Sequence, residues 1–361
     1  MVPGSQRRYA LQAKADLIRS VGYSHAWRRA REDRRHRRAL IGRRPQVADR
    51  MWRDAAAEIG AEVREISPTL LEFHLGGSWT RIRGQTTPFS DPVSDFVASD
   101  KPLAYRILGS AGLPVPASEI VDVAARGDAS VLERIGLPCI VKPVRGGGGD
   151  GVIGEIRSAD QLRRALVRVG KFDRQALIEH QAEGDSYRLL ILDGEVLDVL
   201  RRRRPMLDGD GVATIEELMF REYARRITDE GPSGLKQFVV DLDCLFALER
   251  QGLTTSSVLP AGESVVVKTA TNYNGPEETE TWRGAVPAAL SEPALLAAST
   301  LGVRLAGVDI VTNDPTVPLA EAGGVVLEVN AVPGLTHHYN VSDVTNATRI
   351  AVPILQALLH G

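Results

Sequence analysis

The chain has 361 residues, 43% of them hydrophobic, which is enough for two or three lobes with a sizeable core. No apolar run reaches the roughly 18 residues of a membrane helix, and the N-terminus MVPGSQRRYALQAKADLIRS lacks a signal-peptide core. We therefore expect a cytoplasmic protein that does not enter a membrane. The only two cysteines, Cys139 and Cys244, lie in apolar runs without metal-ligand spacing and are predicted to be buried thiols.

Positive charge is concentrated at the N-terminus. Residues 1–53 carry 15 Lys and Arg against 4 Asp and Glu, a net of +11, whereas the remainder carries 29 against 42, a net of −13. The arginine-rich run from Ala26 to Arg44 has one aromatic residue, Trp27, and no convincing apolar stripe. We expect a basic helix that docks on an acidic face of the same chain or of a sister subunit, and a homo-oligomer; nucleic-acid binding is disfavoured.

The first part of the chain reads as an alternation of helices and short strands. A helix is expected from Trp52 to Gly60, and the runs EVREI, LLEFHL and TRIRG predict three strands. The next helix is expected from Asp100 to Leu108, with Ser99 as its cap. The strand LPCIVKPV then leads into a run of glycines.

The second part contains hairpin and capping signals. VIGEI is a strand, and Ser158 is expected to begin the helix ADQLRRALVRV. The run YRLLILDGEVLDVLRRR predicts a hairpin, because Asp193-Gly194 suits a type I′ turn. Thr214 and Glu217 form a capping box, two strands follow in AGVDIVTN and GVVLEVN, and VTNATRIAVPILQALL predicts a closing helix. The pattern indicates an α+β chain with antiparallel hairpins.

The stretch IVKPVRGGGGDGVIG is the strongest local signal. It contains G-x-G-x-x-G, but a strand follows instead of a helix, and no Gly-Lys-Ser/Thr closes the run. Dinucleotide-binding and P-loop contexts are therefore missing. A glycine-rich turn between two strands can surround phosphate oxygens with backbone N–H groups, and Lys142 lies just before it. A loop that only joins two strands is the alternative.

Acidic residues in two apolar strands predict a metal site. Asp309, Glu328 and Asn330 lie on strands that could pair, and the last two share one face. Oxygen ligands of this kind suit Mg²⁺, and an acid inside an apolar strand is costly unless it is paired or bound to metal. Edge-strand carboxylates that face water are the alternative.

Seven segments, taken in order, resemble the ATP-grasp ligases, most closely the ATP-grasp region of cyanophycin synthetase and its stand-alone relatives. The segments are SDKPLAYRIL, IVKPVRGGGGDGV, LIEHQAEGDSYRLLIL, GDGVATIEELM, QGLTTSSVLPAGESV, AGVDIV and EVNAVPGL. The resemblance implies an α+β ATP-grasp fold, in which two subdomains grip ATP. The resemblance covers roughly residue 83 to the C-terminus and implies an ATP-grasp domain at 99–361, divided into 99–183 and 184–361. A basic helical segment at 1–53, which the resemblance does not explain, and a small α/β region at 54–98 are expected to precede it.

The resemblance also implies roles for individual residues. Lys101 and Lys142 match lysines that hold ATP phosphates, and Arg202 matches an arginine facing the phosphoryl and acyl groups, although Arg201 to Arg204 leave the register open. The other matches are the flap glycines Gly146, Gly147, Gly148 and Gly149, the adenine hinge Glu179, His180, Gln181 and Ala182, and the magnesium ligands Asp309, Glu328 and Asn330.

Two positions stay open under this resemblance. The ribose-binding acid of the family falls at Ser186, with Asp185 one residue early. His337 and His338 follow the metal strand and are expected either to line the acceptor site or to be structural.

The implied activity is ATP-dependent amide-bond formation through an acyl phosphate, with ATP and Mg²⁺ as cofactors. The expected substrates are a small carboxylate and an amine, such as an amino acid or a short peptide. A small-molecule kinase and a catalytically inert nucleotide-binding protein are the alternatives.

Overall fold

A computed structural model describes residues 4–40, 43–125, 129–145, 149–228, 238–271 and 275–360. The helices of this part are α1 (Gly4–Leu40), α2 (Arg43–Ile59), α3 (Pro92–Ser99), α4 (Lys101–Ser110), α5 (Ser130–Ile135), α6 (Ala159–Val169), α7 (Ile215–Thr228), α8 (Leu242–Arg250), α9 (Ala288–Thr300) and α10 (Ala351–His360). Within these ranges no helix combines the length and the apolar character needed to cross a bilayer.

The strands form four antiparallel sheets. They are β1 (Glu62–Ser67), β2 (Leu70–Leu75), β3 (Ser78–Arg83), β4 (Ser118–Asp122), β5 (Cys139–Pro143), β6 (Ile153–Ile156), β7 (Gln175–His180), β8 (Asp185–Leu192), β9 (Glu195–Arg202), β10 (Met206–Asp208), β11 (Ser264–Val266), β12 (Thr279–Thr281), β13 (Leu305–Thr312) and β14 (Val325–Asn330). The two large sheets have the orders β4-β7-β5-β6 and β12-β9-β8-β13-β14. The expected α+β class with antiparallel hairpins is confirmed.

One face of the five-stranded sheet has an apolar half, which packs into the core, and a polar half. On β8, Leu189 and Ile191 pack into the core that contains α9. Leu190 and Leu192 point to the other face and pack with α2, α10 and the strands β2 and β3. Arg188 shares this second face, because alternate residues of a strand lie on the same side. The apolar half of this face therefore fixes the position of a polar half beside it.

Short-range signals in the sequence are confirmed by the backbone. Asp193 and Gly194 have φ values of 49° and 86°, as both central positions of a type I′ turn require. Thr214 and Glu217 form the capping box, since the Thr214 N–H donates to the Glu217 carboxylate at 2.9 Å and the Glu217 N–H to the Thr214 hydroxyl at 3.3 Å. Ser158 caps α6 through its hydroxyl.

Three element boundaries differ from the expectation. The cap of α4 is Asp100, whose carboxylate accepts from the first turn, and not Ser99. The closing helix begins at Ala351, seven residues after Val344, because Pro353 lacks an N–H and is tolerated in the first turn of a helix. The boundary expected at residue 53 falls inside α2. Residues 54–98 contain the end of α2, the antiparallel sheet of β1, β2 and β3, and most of α3.

The basic helix α1 packs on its own chain. It is kinked at Gly22, which has a φ of 83°, and lies against α6. Asp16 pairs with Arg164 of α6 at 3.0 Å, and Arg28 lies 3.4 Å from Glu216 of α7. The expected docking on the same chain is thus seen. One ion pair joins an acid of α1 to an arginine of α6, and the other joins an arginine of α1 to an acid of α7. Docking on a sister subunit stays a prediction.

Candidate active site

A cleft of about 350 Å³ lies between the two large sheets and contains both sets of residues singled out by the sequence. Residues of β5 and β7 line one side, residues of β8, β9, β13 and β14 line the other, and Thr269 to Thr271 contribute a third wall. The charged residues that line it are Lys101, Lys142, Asp150, Glu179, Arg188, Arg202, Arg204, Asp309 and Glu328. Cations and carboxylates therefore alternate around one cavity.

The register of the five-stranded sheet places the polar residues side by side. Asp309 lies opposite Arg188 on β8 and opposite Glu328 on β14. Arg202 lies opposite Ser186 in the neighbouring row. Residues directly opposite on one sheet face have close Cβ atoms, so the strand pairing itself builds the site.

Two buried arginines flank Asp309. Arg188 binds both carboxylate oxygens of Asp309, and Arg202 Nη2 lies 3.5 Å from Asp309 Oδ1. Burial alone would raise the pKa of Asp309, but Arg188 and Arg202 outweigh it and the pKa is lowered. The carboxylate therefore stays ionised inside the protein.

Arg202 has donor groups that the described protein does not satisfy. Its side chain is only 3% exposed, and neither Nε nor Nη2 has a hydrogen-bond partner within the described ranges. Burial and the neighbouring Arg188 lower the pKa of Arg202 to about 10. The nearby Asp309 carboxylate is bound through both oxygens by Arg188 and leaves these two Arg202 donors without a hydrogen bond among the described residues. Buried donors without a partner are costly, so this position favours a bound anion.

Lys142 belongs to a buried polar cluster at the opposite side of the cleft. Its ammonium lies 2.7 Å from the Glu179 carboxylate and 3.2 Å from the Tyr105 hydroxyl. The Tyr105 hydroxyl also lies 3.0 Å from Glu179, and burial together with this carboxylate raises the pKa of Tyr105. The Glu179 side chain thus orients Lys142 toward the cleft that both residues line.

The predicted metal ligands meet at paired strands. Lys101 Nζ lies 3.5 Å from Glu328. The Asn330 amide nitrogen donates to the Gly307 carbonyl at 3.2 Å, which leaves the Asn330 side-chain oxygen free to act as a metal ligand. Two carboxylates and one amide oxygen fit a hard divalent cation such as Mg²⁺. The part of the chain that the structure describes contains no group of three or more Asp, Glu, His or Cys side chains arranged to hold a metal ion.

Comparisons with known proteins identify the fold. A family model described as the D-ala D-ala ligase C-terminus matches residues 107–215. Cyanophycin synthetase from Synechocystis sp. is 28% identical over 293 residues, which cover 80% of this chain and 33% of the relative. A crystal structure of a bifunctional glutathione synthetase from Pasteurella multocida matches with a TM-score of 0.52 and 19% identity, over 84% of this chain and 42% of that one. The chain has the ATP-grasp fold.

The homology extends to a second group of relatives. The glutathione biosynthesis bifunctional protein GshAB from Streptococcus thermophilus is 27% identical over 237 residues, which cover 64% of this chain and 31% of the relative. The chain is homologous to ATP-grasp ligases of the cyanophycin synthetase and glutathione synthetase types. It spans about a third of the length of the curated relatives it matches.

Within the ATP-grasp cleft, several expected residues are brought together. Lining residues that the sequence predicted are Lys101, Lys142, Gly149, Glu179, Gln181, Ala182, Ser186, Arg202, Asp309, Glu328, Asn330 and His337. Gly146, Gly147 and Gly148 lie outside the described residues. Within the arginine run, Arg202 and Arg204 line the cleft and Arg202 is the more buried, whereas Arg201 pairs with Asp185 at 2.7 Å.

Three expected residues do not line the cleft. Asp185 pairs with Arg201 and does not line the cleft, whereas Ser186 does. His180 is exposed outside the lining. His338 is fully buried behind the site, with Nδ1 2.6 Å from Asp198, and burial lowers its pKa.

Arg188 and Tyr105 were missed by the sequence reasoning, and Arg204 was considered only as one member of the run from Arg201 to Arg204. Arg188 stands alone in the apolar run YRLLILDG, and a lone charge in such a strand is costly unless it is paired. The same argument singled out Asp309 and could have found Arg188. Tyr105 has no comparable signal, because a tyrosine in a helix is ordinary core.

Proposed function

We propose that this chain is an ATP-dependent, ADP-forming ligase that joins a carboxylate to an amine, with an amino acid or a short peptide as each substrate. The observation that carries the proposal is the buried Arg202, whose unsatisfied donors face a cleft shared with Lys101 and Lys142. This is the arrangement required to hold a polyanion and to stabilise charge during phosphoryl transfer. The names of the relatives, which are ligases, support the same class.

The proposed reaction has two steps. A substrate carboxylate oxygen attacks the γ-phosphorus of ATP, which breaks the bond to the bridging oxygen and gives an acyl phosphate and ADP. The amine nitrogen then attacks the acyl carbon, and the C–O bond breaks to release phosphate and leave an amide; the amine proton goes to solvent. Positioning two substrates and the nucleotide in one cleft is the main contribution of the protein.

Individual residues have separate roles in this proposal. Lys101 and Lys142 bind the nucleotide phosphates, Ser186 faces the ribose, and Arg202 binds the oxygens that gain charge on the acyl phosphate. Asp309, Glu328 and Asn330 would hold Mg²⁺, which neutralises phosphate charge when bound. Arg188 keeps Asp309 ionised and correctly oriented through both carboxylate oxygens.

A screen of amino-acid pairs tests the proposal. ADP release should require both an acid and an amine, and hydroxylamine in place of the amine should trap the acyl phosphate as a hydroxamate. A stable phosphorylated product would instead indicate a small-molecule kinase. Nucleotide affinity without turnover for any pair would indicate an inert binding protein.

A further inference from the structure

A buried carboxylate behind the cleft connects two of its walls. Asp243, on α8, is 2% exposed. Its Oδ1 accepts from the Gly154 N–H at 2.9 Å, and its Oδ2 accepts from the Thr269 N–H at 2.9 Å and the Ala270 N–H at 3.4 Å. One side chain therefore binds two backbone segments that are more than 100 residues apart in the chain.

Both segments belong to the cleft. Gly149, Asp150 and Val152 line it just before Gly154, at the end of the glycine-rich loop. Residues 269–271 line it as a separate wall. Asp243 lies outside the lining, so its influence on a ligand is exerted through these two segments.

The two segments touch so closely that one side chain must be absent. A Cβ atom on Gly154 would lie 2.3 Å from Cγ2 and 2.7 Å from Cβ of Thr269. Contacts below 3.0 Å are not tolerated between carbon atoms, so glycine is required at this position. This contact is independent of the carboxylate and indicates that the spacing of the two walls is fixed.

Compensating cations surround the buried carboxylate. Burial raises the pKa of Asp243, Lys268 opposes this effect, and Asp241 adds to it. Lys268 is fully buried and pairs with Asp241. Arg29 of α1 donates to the Val240 carbonyl at 2.7 Å and helps to lower the pKa of Asp241. The basic N-terminal helix thus contributes to the charge balance beneath the cleft.

We propose that Asp243 is a positioning residue for the nucleotide: it holds the strand after the glycine-rich loop against residues 269–271 and so sets the width of the cleft where phosphates bind. The inference rests on the proposed nucleotide site and goes beyond it, because Asp243 itself touches no substrate. Two hydrogen bonds of 2.9 Å, one to each segment, join both walls to a single buried side chain and so define this spacing.

Asp243→Asn tests the inference, because it keeps the size of the side chain but replaces one acceptor with a donor that faces a backbone N–H. Affinity for ADP with Mg²⁺, measured by calorimetry, should fall about tenfold. In turnover assays the KM for ATP should rise by about the same factor, while the KM for the acid should change less than twofold. Hydrogen exchange at the Gly154 and Thr269 amides should accelerate.

Asp210→Asn is the matched control. Asp210 also accepts two backbone N–H bonds, from Val212 at 2.9 Å and Ala213 at 2.6 Å, but it is exposed and lies outside the cleft. Nucleotide affinity should stay at the wild-type value in this variant. Equal nucleotide affinity in Asp243→Asn and wild type would overturn the inference.

A second pair of variants decides the matter if Asp243→Asn does not fold. Gly154→Ala should weaken nucleotide binding, because its methyl group forces Thr269 away, and adding Thr269→Gly should restore binding by removing the clash. Absence of both the loss and the recovery would also overturn the inference. Calorimetry needs no turnover. A wild-type chain that binds nucleotide but forms no amide would therefore refute the proposed function and leave the inference about Asp243 standing.

Discussion

Replacing Arg202 with methionine should stabilise the free protein while it abolishes turnover. Arg202 is 3% exposed, and its pKa is lowered by more than two units to about 10, chiefly by burial. Each pKa unit corresponds to 1.36 kcal/mol, so folding disfavours the charged side chain by about 3 kcal/mol. The folded-state pKa lies below the unfolded one, so this cost is fully present at pH 7 and diminishes only as the pH rises above about 10.

Methionine removes the buried charge and retains an unbranched side chain that can fill the same space. Arg188 still pairs with Asp309 in the variant, so no carboxylate is left alone. We expect the free energy of unfolding to rise by about 1–3 kcal/mol, since some packing is lost. Turnover should fall by about 100- to 1,000-fold, the usual cost of removing one preorganised donor.

Urea titration without ligand and an ADP-release assay measure the two effects. The matched control is Arg201→Met, the neighbour whose half-exposed side chain pairs with Asp185 and Glu280. That variant should keep turnover and change stability by less than about 1 kcal/mol, because exposed ion pairs contribute little. A ligand-free Arg202→Met protein that is less stable than wild type would refute the account of Arg202 as an unsatisfied cation.

Three further predictions concern other parts of the site. Lys142→Met should destabilise the protein by about 3–5 kcal/mol in urea titrations, because it leaves the buried Glu179 carboxylate without its cation. Adding Glu179→Gln should restore stability but not turnover. A Lys142→Met variant as stable as wild type would contradict this. Asp309→Asn and Glu328→Gln should each lower magnesium-dependent ADP release by about 100-fold, and wild-type rates in both would disprove the metal site. Burial lowers the pKa of His338, so as the pH drops the unfolded chain is protonated at this residue before the folded one, and stability should fall below about pH 6.5. In urea titrations at pH 5 and 7, the free energy of unfolding of His338→Gln should change less with pH than that of wild type.

Local chemistry made much of the fold predictable from the sequence. The turn at Asp193-Gly194 and the capping box at Thr214 depend on residues close in the chain, and both are confirmed. The pairing of the strands that carry Asp309 and Glu328 was also expected, and the two residues lie directly opposite. Strand register is strongly determined here because both strands have apolar residues that must be buried.

The faces of β9 could not be assigned from the sequence although the turn before it was predicted, because the register of the β8–β9 hairpin shifts by one residue between Leu190 and Ile191. A period of two puts Arg202 and Arg204 on one face and Arg201 on the other, but it does not say which face meets the cleft. The pairing of β9 with β8 decides this by placing Arg202 opposite Ser186. The same pairing places Asp185 beside Arg201.

Lysine usage gave a signal whose meaning only the structure makes clear. The chain contains 38 arginines and six lysines, and three of the lysines, Lys101, Lys142 and Lys268, are buried at 8%, 5% and 0% exposure. Lysine is among the residues most rarely buried, so these three positions require a compact charge that a guanidinium would not fit. Lys101 and Lys142 line the cleft, whereas Lys268 stabilises Asp241 next to the wall at Thr269. The contacts thus distinguish the two buried lysines that line the cleft from the one that supports its wall.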